Sequence, residues 1–319
     1  MISVSAIRRG LISYLTEKTR ENYFLNPGDL PGKWLYTAAR TKLRLSTEVS
    51  AKDLRRLTRG FGIDGKKLVK NAGKFAGKRK RHLGISLVFC APKSWSVAWA
   101  FATPAEQKAM EDAFTRAIER TIREYIEPEV ARCRLARGTQ IAAKIVAALF
   151  IHVTSRANDM NVHGHLLIPN LGLCADGAVR ALISKRFYDH KLDAGAYFRL
   201  ALQSECRHLG LTFFRPSNRK GDQKPYVEVM GVPVSICRHF SKRRKQIEAR
   251  LDAQGLASAA DSEVAALQTR PEKETTASRE ELFARWRQEA VENRLPLDWN
   301  CRHLSESARH EKKKNINWR

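Results

Sequence analysis

Two histidines separated by one residue, His163 and His165, sit at the edge of an apolar, β-branched stretch, and a third, His152, lies eleven positions upstream. Both flanks, residues 145–151 and 166–168, read as strands because they are short, apolar and rich in Ile, Val, Leu and Phe. Side chains alternate faces along a strand, so His163 and His165 point the same way. The intervening residues 154–161 contain Ser, Asn and Asp, the composition of a loop closing an antiparallel pair. That pairing puts His152 roughly opposite His163 and gathers three imidazoles on one patch of sheet. Three neutral imidazoles with open coordination positions suit a divalent metal acting as a Lewis acid. The same donor set serves zinc hydrolases, so the pattern specifies a metal before it specifies a substrate.

Charge narrows the substrate. The 319 residues hold 58 Lys+Arg against 33 Asp+Glu, a formal net charge of +25. Such an excess repels itself within a compact chain and favours a polyanionic partner, with nucleic acid ahead of an anionic membrane. No stretch of apolar residues is long enough to span a bilayer, and no basic amphipathic helix with bulky apolar residues argues for a membrane surface. Arg8 and Arg9 are followed by too short an apolar run for a signal peptide. Six cysteines are scattered without a Cys-x-x-Cys pair, so reduced thiols and a cytoplasmic location are expected.

Along the chain, residues 2–7 alternate as a strand, followed by a helical stretch to about Arg20. Residues 66–82 carry Lys74, Lys78, Arg79, Lys80 and Arg81 among other bases and no acid, a loop suited to tracking a phosphate backbone. Residues 85–90 form a strand ended by Pro92. Lys93 and Ser94 then open a helix to Phe101, with Ser94 as its N-cap and an anion site at its start. Helices are expected over 105–126, stopping near Pro128, over 188–209, and over 235–251, the last carrying Lys242, Arg243, Arg244 and Lys245. Residues 211–214 and 226–229 read as strands. From about residue 252 the composition turns to Ala, Ser, Thr and charge. One amphipathic helix over 281–293 has Phe283 and Trp286 on a common face, and the end is a mobile basic tail. The domain division expected is 1–255 and a basic helical extension 256–319. No phosphate-binding loop of the NTPase type is present.

A three-histidine metal on so basic a protein would polarise a phosphodiester and neutralise charge in its transition state. Water as nucleophile would make a plain nuclease, whereas a tyrosine would form a covalent link that conserves the bond for rejoining. Tyr14 and Tyr23 are the candidates near the amino terminus, although on these lines alone burial on an amphipathic helix explains them better.

A resemblance changes that balance. Residues Ser13, Tyr14, Leu15 and then Arg20 to Leu25, Pro31, Gly32 and Trp34 resemble the opening of TrwC-type (MobF) conjugative relaxases, HUH endonucleases that nick one DNA strand at a transfer origin. The similarity continues through Leu87 to Ser94, His152 to Arg156, Asp159, His163, His165 and Asn170. It goes on through Tyr188, His190, Lys191, Gly195, Tyr197, Arg199, Gly231 to Pro233 and Phe240 to Arg244, reaching Trp286. It spans roughly residues 1–295 in order.

The resemblance implies an α+β fold, the HUH relaxase palm, with about five antiparallel strands, flanking helices, the histidines on a central strand pair and a tyrosine helix over them. It implies Tyr14 as nicking nucleophile, with Tyr23 matching the second tyrosine pair; both pairs are reduced here, to Tyr14-Leu15 and Tyr23-Phe24. A cycle with one tyrosine or with two fits that pattern. His152, His163 and His165 match the metal ligands, with Mg²⁺ or Mn²⁺ in use and Zn²⁺, Ni²⁺ or Co²⁺ also held by three imidazoles. Ser86 stands where the family carries an aspartate that orients an imidazole, so ligand basicity should fall. Single-stranded and hairpin origin DNA would meet Lys74, Lys78, Arg79, Lys80, Arg81, Lys93, Ser94, Arg156, Lys191, Lys242, Arg243 and Arg244, with the part from about residue 235 closing over it. Accessory relaxosome proteins, a coupling protein and a helicase in trans are the implied protein partners. A rolling-circle initiator or transposase of the same chemistry, or a non-enzymatic binder of origin DNA, are the rival readings.

Overall fold

The computed structural model describes residues 2–7, 32–35, 37–74, 76, 80–135, 138–217, 226–255 and 278–299. The alternating segment near the amino terminus forms β1 (Ile2–Ala6), which pairs antiparallel with β3 (Gly84–Cys90). β3 pairs with β7 (Met160–Pro169), β7 with β6 (Ala148–Thr154), and β6 with the two-residue β2 (Lys33–Trp34). The sheet order is therefore β1-β3-β7-β6-β2, all antiparallel, with the histidine-bearing β7 at its centre. The expected helical stretch up to Arg20 lies outside the described residues, as does the basic carboxyl-terminal tail.

One face of this sheet carries Ile85, Leu87, Phe89, Val162, Leu166, Ile168, Leu149 and Ile151 into the main hydrophobic core. Over that face lie α3 (Lys93–Phe101), α4 (Pro104–Thr121) and α6 (Lys191–Cys206). Gly164, between the two histidines, points to this side. A Cβ there would come within 3.0 Å of Ile118 and of Leu149, so α4 packs close only because the middle residue of the motif has no side chain. The opposite face has a second, smaller cluster. Trp34, Ala148, Phe150 and Leu167 are covered there by α1 (Ala38–Lys42) and α2 (Ala51–Arg59), which contribute Ala39, Leu54 and Leu57. The histidines occupy the other end of that same face.

Several boundaries differ from the sequence expectation. The apolar run 145–151 is two strands. Ile145 ends β5 (Gln140–Ile145), which belongs to a second sheet: β5 pairs with β4 (Arg132–Arg134) and β8 (Gly172–Cys174), and β8 with β9 (Val179–Arg180), in the order β4-β5-β8-β9. Hydrogen bonds from Thr37 Oγ1 to Ile145 O and from Leu35 N to Ala147 O hold the crossover between the sheets. The helix expected to stop near Pro128 instead continues from α4 as a π-helical stretch, Ile122–Val130, that contains Pro128. The expected helix 188–209 is α5 (Ser184–Asp189), then α6, then a 3₁₀ turn (Arg207–Leu209) capped by left-handed Gly210. The expected helix 235–251 is broken at Phe240 and Ser241 into α7 (Val234–His239) and α8 (Lys242–Gln254). The strands expected at 211–214 and 226–229 shrink to β10 (Phe213–Phe214) paired with β11 (Glu228–Val229).

The last described helix, α9 (Arg279–Glu292), starts with a capping box between Ser278 and Glu281. Its Leu282, Trp286 and Ala290 are buried in the main core, and Trp286 and Phe283 meet the Trp99 ring at 6.3 and 5.2 Å between centroids. Burying an indole removes roughly 200 Å² from water, worth about 5 kcal/mol before entropy. Within the extension expected from residue 256, α9 thus packs into the same core as the sheet.

Candidate metal centre and nucleic-acid interface

The strand register decides the site. His152 pairs directly with His163, and a β-bulge between His152 and Thr154 follows at once. His165 lies two residues on from His163, on the same face. The three rings have centroids 5.3, 4.8 and 5.0 Å apart, and one nitrogen from each lies within 4.8 Å of the others. Two metal–imidazole bonds of about 2.1 Å meeting at a tetrahedral angle put their nitrogens about 3.4 Å apart. Closing on one ion therefore needs less than about an ångström of movement per ring, which a small χ rotation supplies. His152 is buried and the other two are half-buried, so the cluster opens to one side.

The tautomer of one of these histidines follows from its neighbour. His163 Nδ1 lies 2.8 Å from the backbone oxygen of Asn161, which can only accept. Nδ1 therefore carries the proton and Nε2 keeps the lone pair for a metal. The Asn161 amide nitrogen, 3.4 Å from Nδ1, is the longer contact and yields to it. Among the described residues these three histidines are the group of metal-ligating type that converges, and the chemistry of the set fits a divalent ion.

Ser86 shares the histidine face: it pairs with Leu167, one diagonal from His165, while Val88 pairs with His165 and Cys90 with His163. Ser86 is buried. Tyr14, Tyr23, Lys78 and Arg79 lie outside the described residues.

The expected phosphate contacts divide into two groups. Lys74, Lys80, Lys191 and Arg244 are exposed, Arg244 pairing with Glu248, and Arg156 and Arg243 are half-buried. Arg81, Lys93 and Ser94 are turned inward. Arg81 is 4% exposed and donates to Thr58 O at 2.8 Å, Asn71 Oδ1 at 3.3 Å and Asn170 O at 3.0 Å, joining α2 to the end of β7. Burial lowers its pKa to about 10. Lys93 donates to Met160 O at 2.6 Å, and burial lowers it to about 8 despite Asp159 nearby. Ser94 is not the N-cap of α3; Pro92 is. The helix start that looked ready for an external anion already holds one, because the Glu228 carboxylate accepts from Ser94 N at 3.0 Å and from its hydroxyl. Lys242 is committed in part, lying 3.6 Å from Asp159 Oδ1 and 2.6 Å from Glu289 Oε1.

Sequence reasoning gave no role to Arg199, Arg215, Glu228 or Asp159. Arg199 is half-buried above Gly195 at the β1 edge, its pKa lowered by burial and then by the charge of Arg215, a second cation. Two like charges within electrostatic reach of each other raise the local positive potential, which favours an anion nearby. Position in sequence offers no signal for that pair, because the β10–β11 hairpin brings Arg215 back to α6.

With the geometry in place, the comparisons with known proteins agree among themselves. A family model described as TrwC relaxase matches residues 9–293. The Multifunctional conjugation protein TraI of Escherichia coli is 27% identical over 272 residues, 82% of this chain but 14% of that protein. TraI from strain K12 is 26% identical over 287 residues, 86% of this chain and 15% of the relative. The chain thus spans a small part of the length of these curated relatives. Among solved structures, the conjugative relaxase TrwC in complex with oriT DNA, copper-bound, superposes with a TM-score of 0.76 at 27% identity, covering 93% of this chain and 99% of that one. A metal-bound TrwC complex with oriT DNA gives 0.75, and TrwC with a 27-mer comprising the recognition hairpin and the cleavage site gives 0.73, both at 26% identity and the same coverage.

Proposed function

The chain belongs to the TrwC relaxase family, and on that basis we propose that it nicks and rejoins single-stranded DNA at an origin of transfer through a tyrosine-linked intermediate. The observation that carries this reading is the His152, His163 and His165 cluster on adjacent strands, open on one side, in a chain of net charge +25. Related TrwC structures hold oriT DNA and metal, one of them copper. A divalent ion, Mg²⁺ or Mn²⁺ by resemblance, held by His152, His163 and His165, would draw charge from the scissile phosphate as its phosphorus becomes five-coordinate.

The chain's own groups supply the rest. Tyr14 attacks the phosphorus, forming a Tyr14 Oη–P bond as the bond from phosphorus to the 3′-oxygen breaks. The phenolic proton leaves to solvent and the 3′-oxygen takes one up, giving a 5′-phosphotyrosine and a free 3′-hydroxyl. The reverse step rejoins the strand; a cycle that uses Tyr14 alone and one that uses Tyr14 and then Tyr23 both fit the resemblance. His163, with Nδ1 anchored to Asn161, presents Nε2 in fixed orientation. Lys74, Lys80, Lys191, Arg199, Arg215 and Arg244 provide phosphate contacts along the strand. Accessory proteins, a coupling protein and a helicase activity complete the reading.

The test is incubation of labelled single-stranded origin DNA with Mn²⁺ and separation of protein–DNA adducts on a denaturing gel. Wild type should give an adduct that Tyr14→Phe loses. An adduct that persists in Tyr14→Phe refutes the nucleophile, and strong salt-dependent binding with no cleavage in any divalent metal makes the protein a non-enzymatic origin binder.

A further inference from the structure

Three consecutive residues at the tip of the β6–β7 hairpin each accept a hydrogen bond from a different helix. Asn158 O accepts from Trp286 Nε1 of α9 at 2.7 Å, Asp159 Oδ2 from Lys242 N at the start of α8 at 2.7 Å, and Met160 O from Lys93 Nζ of α3 at 2.6 Å. The side chain of Asp159 is 1% exposed, and its second oxygen lies 3.6 Å from Lys242 Nζ. Behind these donors, Glu289 joins α9 to α8 and α7 through Lys242 Nζ and His239 Nε2, each at 2.6 Å.

Within the β6–β7 pair, a bulge separates the tip from the histidines. The regular ladder runs down to His152↔His163 and is then interrupted by the bulge before Thr154↔Met160. Beyond it, Ser155 N donates to Asp159 O, and Asn158 adopts a left-handed conformation (φ 55°). A bulge loosens pairing and lets the strand bend. Between Met160 and His163, β7 is held from the β3–α3 side, where Val162 N donates to Ser96 Oγ at 3.1 Å, Ala91 N donates to Val162 O at 3.0 Å and Cys90 pairs with His163; on the β6 side, across the bulge, the grip on the tip is what sets its approach to His152.

We propose that Asp159 and Trp286 are positioning residues for the metal centre, fixing the hairpin tip to α8 and α9 and thereby the separation of His152 from His163. The proposal rests on the reading of the triad as a metal site. The carboxyl-terminal helices thus help to shape the centre without contributing a ligand.

Co²⁺ alone, without DNA, is the probe, read by titration and by its visible absorption, with melting temperature measured on the metal-free protein. Asp159→Asn weakens the grip on α8, Trp286→Phe removes the N–H while keeping a ring, and Leu282→Ala loosens α9 one turn away without touching the hairpin. Well below the melting temperature, the first two should weaken Co²⁺ binding about tenfold, the scale typical of groups that orient ligands, and alter the absorption bands. Leu282→Ala should lower the melting temperature yet leave Co²⁺ affinity within about twofold of wild type. Wild-type affinity and spectrum in Asp159→Asn and Trp286→Phe overturn the proposal, as does equal weakening by Leu282→Ala; should Asp159→Asn not fold, Trp286→Phe decides. Failure of wild type itself to bind Co²⁺ overturns the metal reading and this inference with it, whereas unchanged variants beside a binding wild type sink the inference alone.

Discussion

Replacing Arg81 with leucine separates a structural arginine from one that grips DNA. Its guanidinium donates to Thr58 O, Asn71 Oδ1 and Asn170 O. Hydrogen bonds from a charged group are worth about 1.5–3 kcal/mol each, so three contribute roughly 5–9 kcal/mol. Against that stands the cost of burying the charge: a pKa lowered from 12.5 to about 10 corresponds to about 3 kcal/mol. The net loss in Arg81→Leu is then about 2–6 kcal/mol, or roughly 3–10 °C in melting temperature for a domain of this size. The assay pairs thermal unfolding with the salt dependence of single-stranded DNA binding. The slope of log affinity against log salt should stay at the wild-type value. A phosphate contact, by contrast, would flatten it by about 0.7 and leave stability nearly untouched. An unchanged melting temperature with a flattened slope would refute the reasoning and return Arg81 to the DNA surface.

Other outcomes follow from the same geometry. Glu228→Gln removes a charge from the start of α3 and should cost about 1–2 kcal/mol in denaturant unfolding; a severalfold gain in DNA affinity instead would mean that the helix start serves the substrate. Ser86→Asp places a carboxylate diagonal to His165 and should tighten metal binding by about tenfold in a calorimetric titration; weaker binding would separate this position from the centre. Lys93→Met tests a pH dependence. Burial lowers Lys93 from 10.5 to about 8, so between those values the unfolded chain holds a proton the folded one lacks. Wild-type stability should therefore rise relative to Lys93→Met as pH increases from about 8 to 10.5, with no such trend between pH 6 and 7.5. A flat difference across the upper range would contradict the burial of that ammonium.

The central hairpin was legible because period-two alternation is a local property of the backbone. His163 and His165 must share a face, and a polar loop of the right length sets His152 opposite His163. The net charge and the ordered motifs likewise pointed to DNA and to this fold without any coordinates. What sequence could not decide is where each cation points. Arg81, Lys93 and Ser94 sit in segments as basic or as helix-capping as the exposed ones, yet tertiary packing supplies Asn170, Met160 and Glu228 from positions tens to more than a hundred residues away. The same limit hid the split of 145–151 between two sheets and the broken helix at Phe240, since a strand or helix continues only if its next turn has something to pack on. Trp286 read as one amphipathic helix's aromatic, and only the fold revealed that it reaches the tip of the histidine hairpin. Local periodicity thus determined which histidines cluster and their register, whereas the partners that satisfy buried charge, and the grip on the hairpin tip, were decided by long-range packing, because desolvation acts on whatever the chain brings together in space.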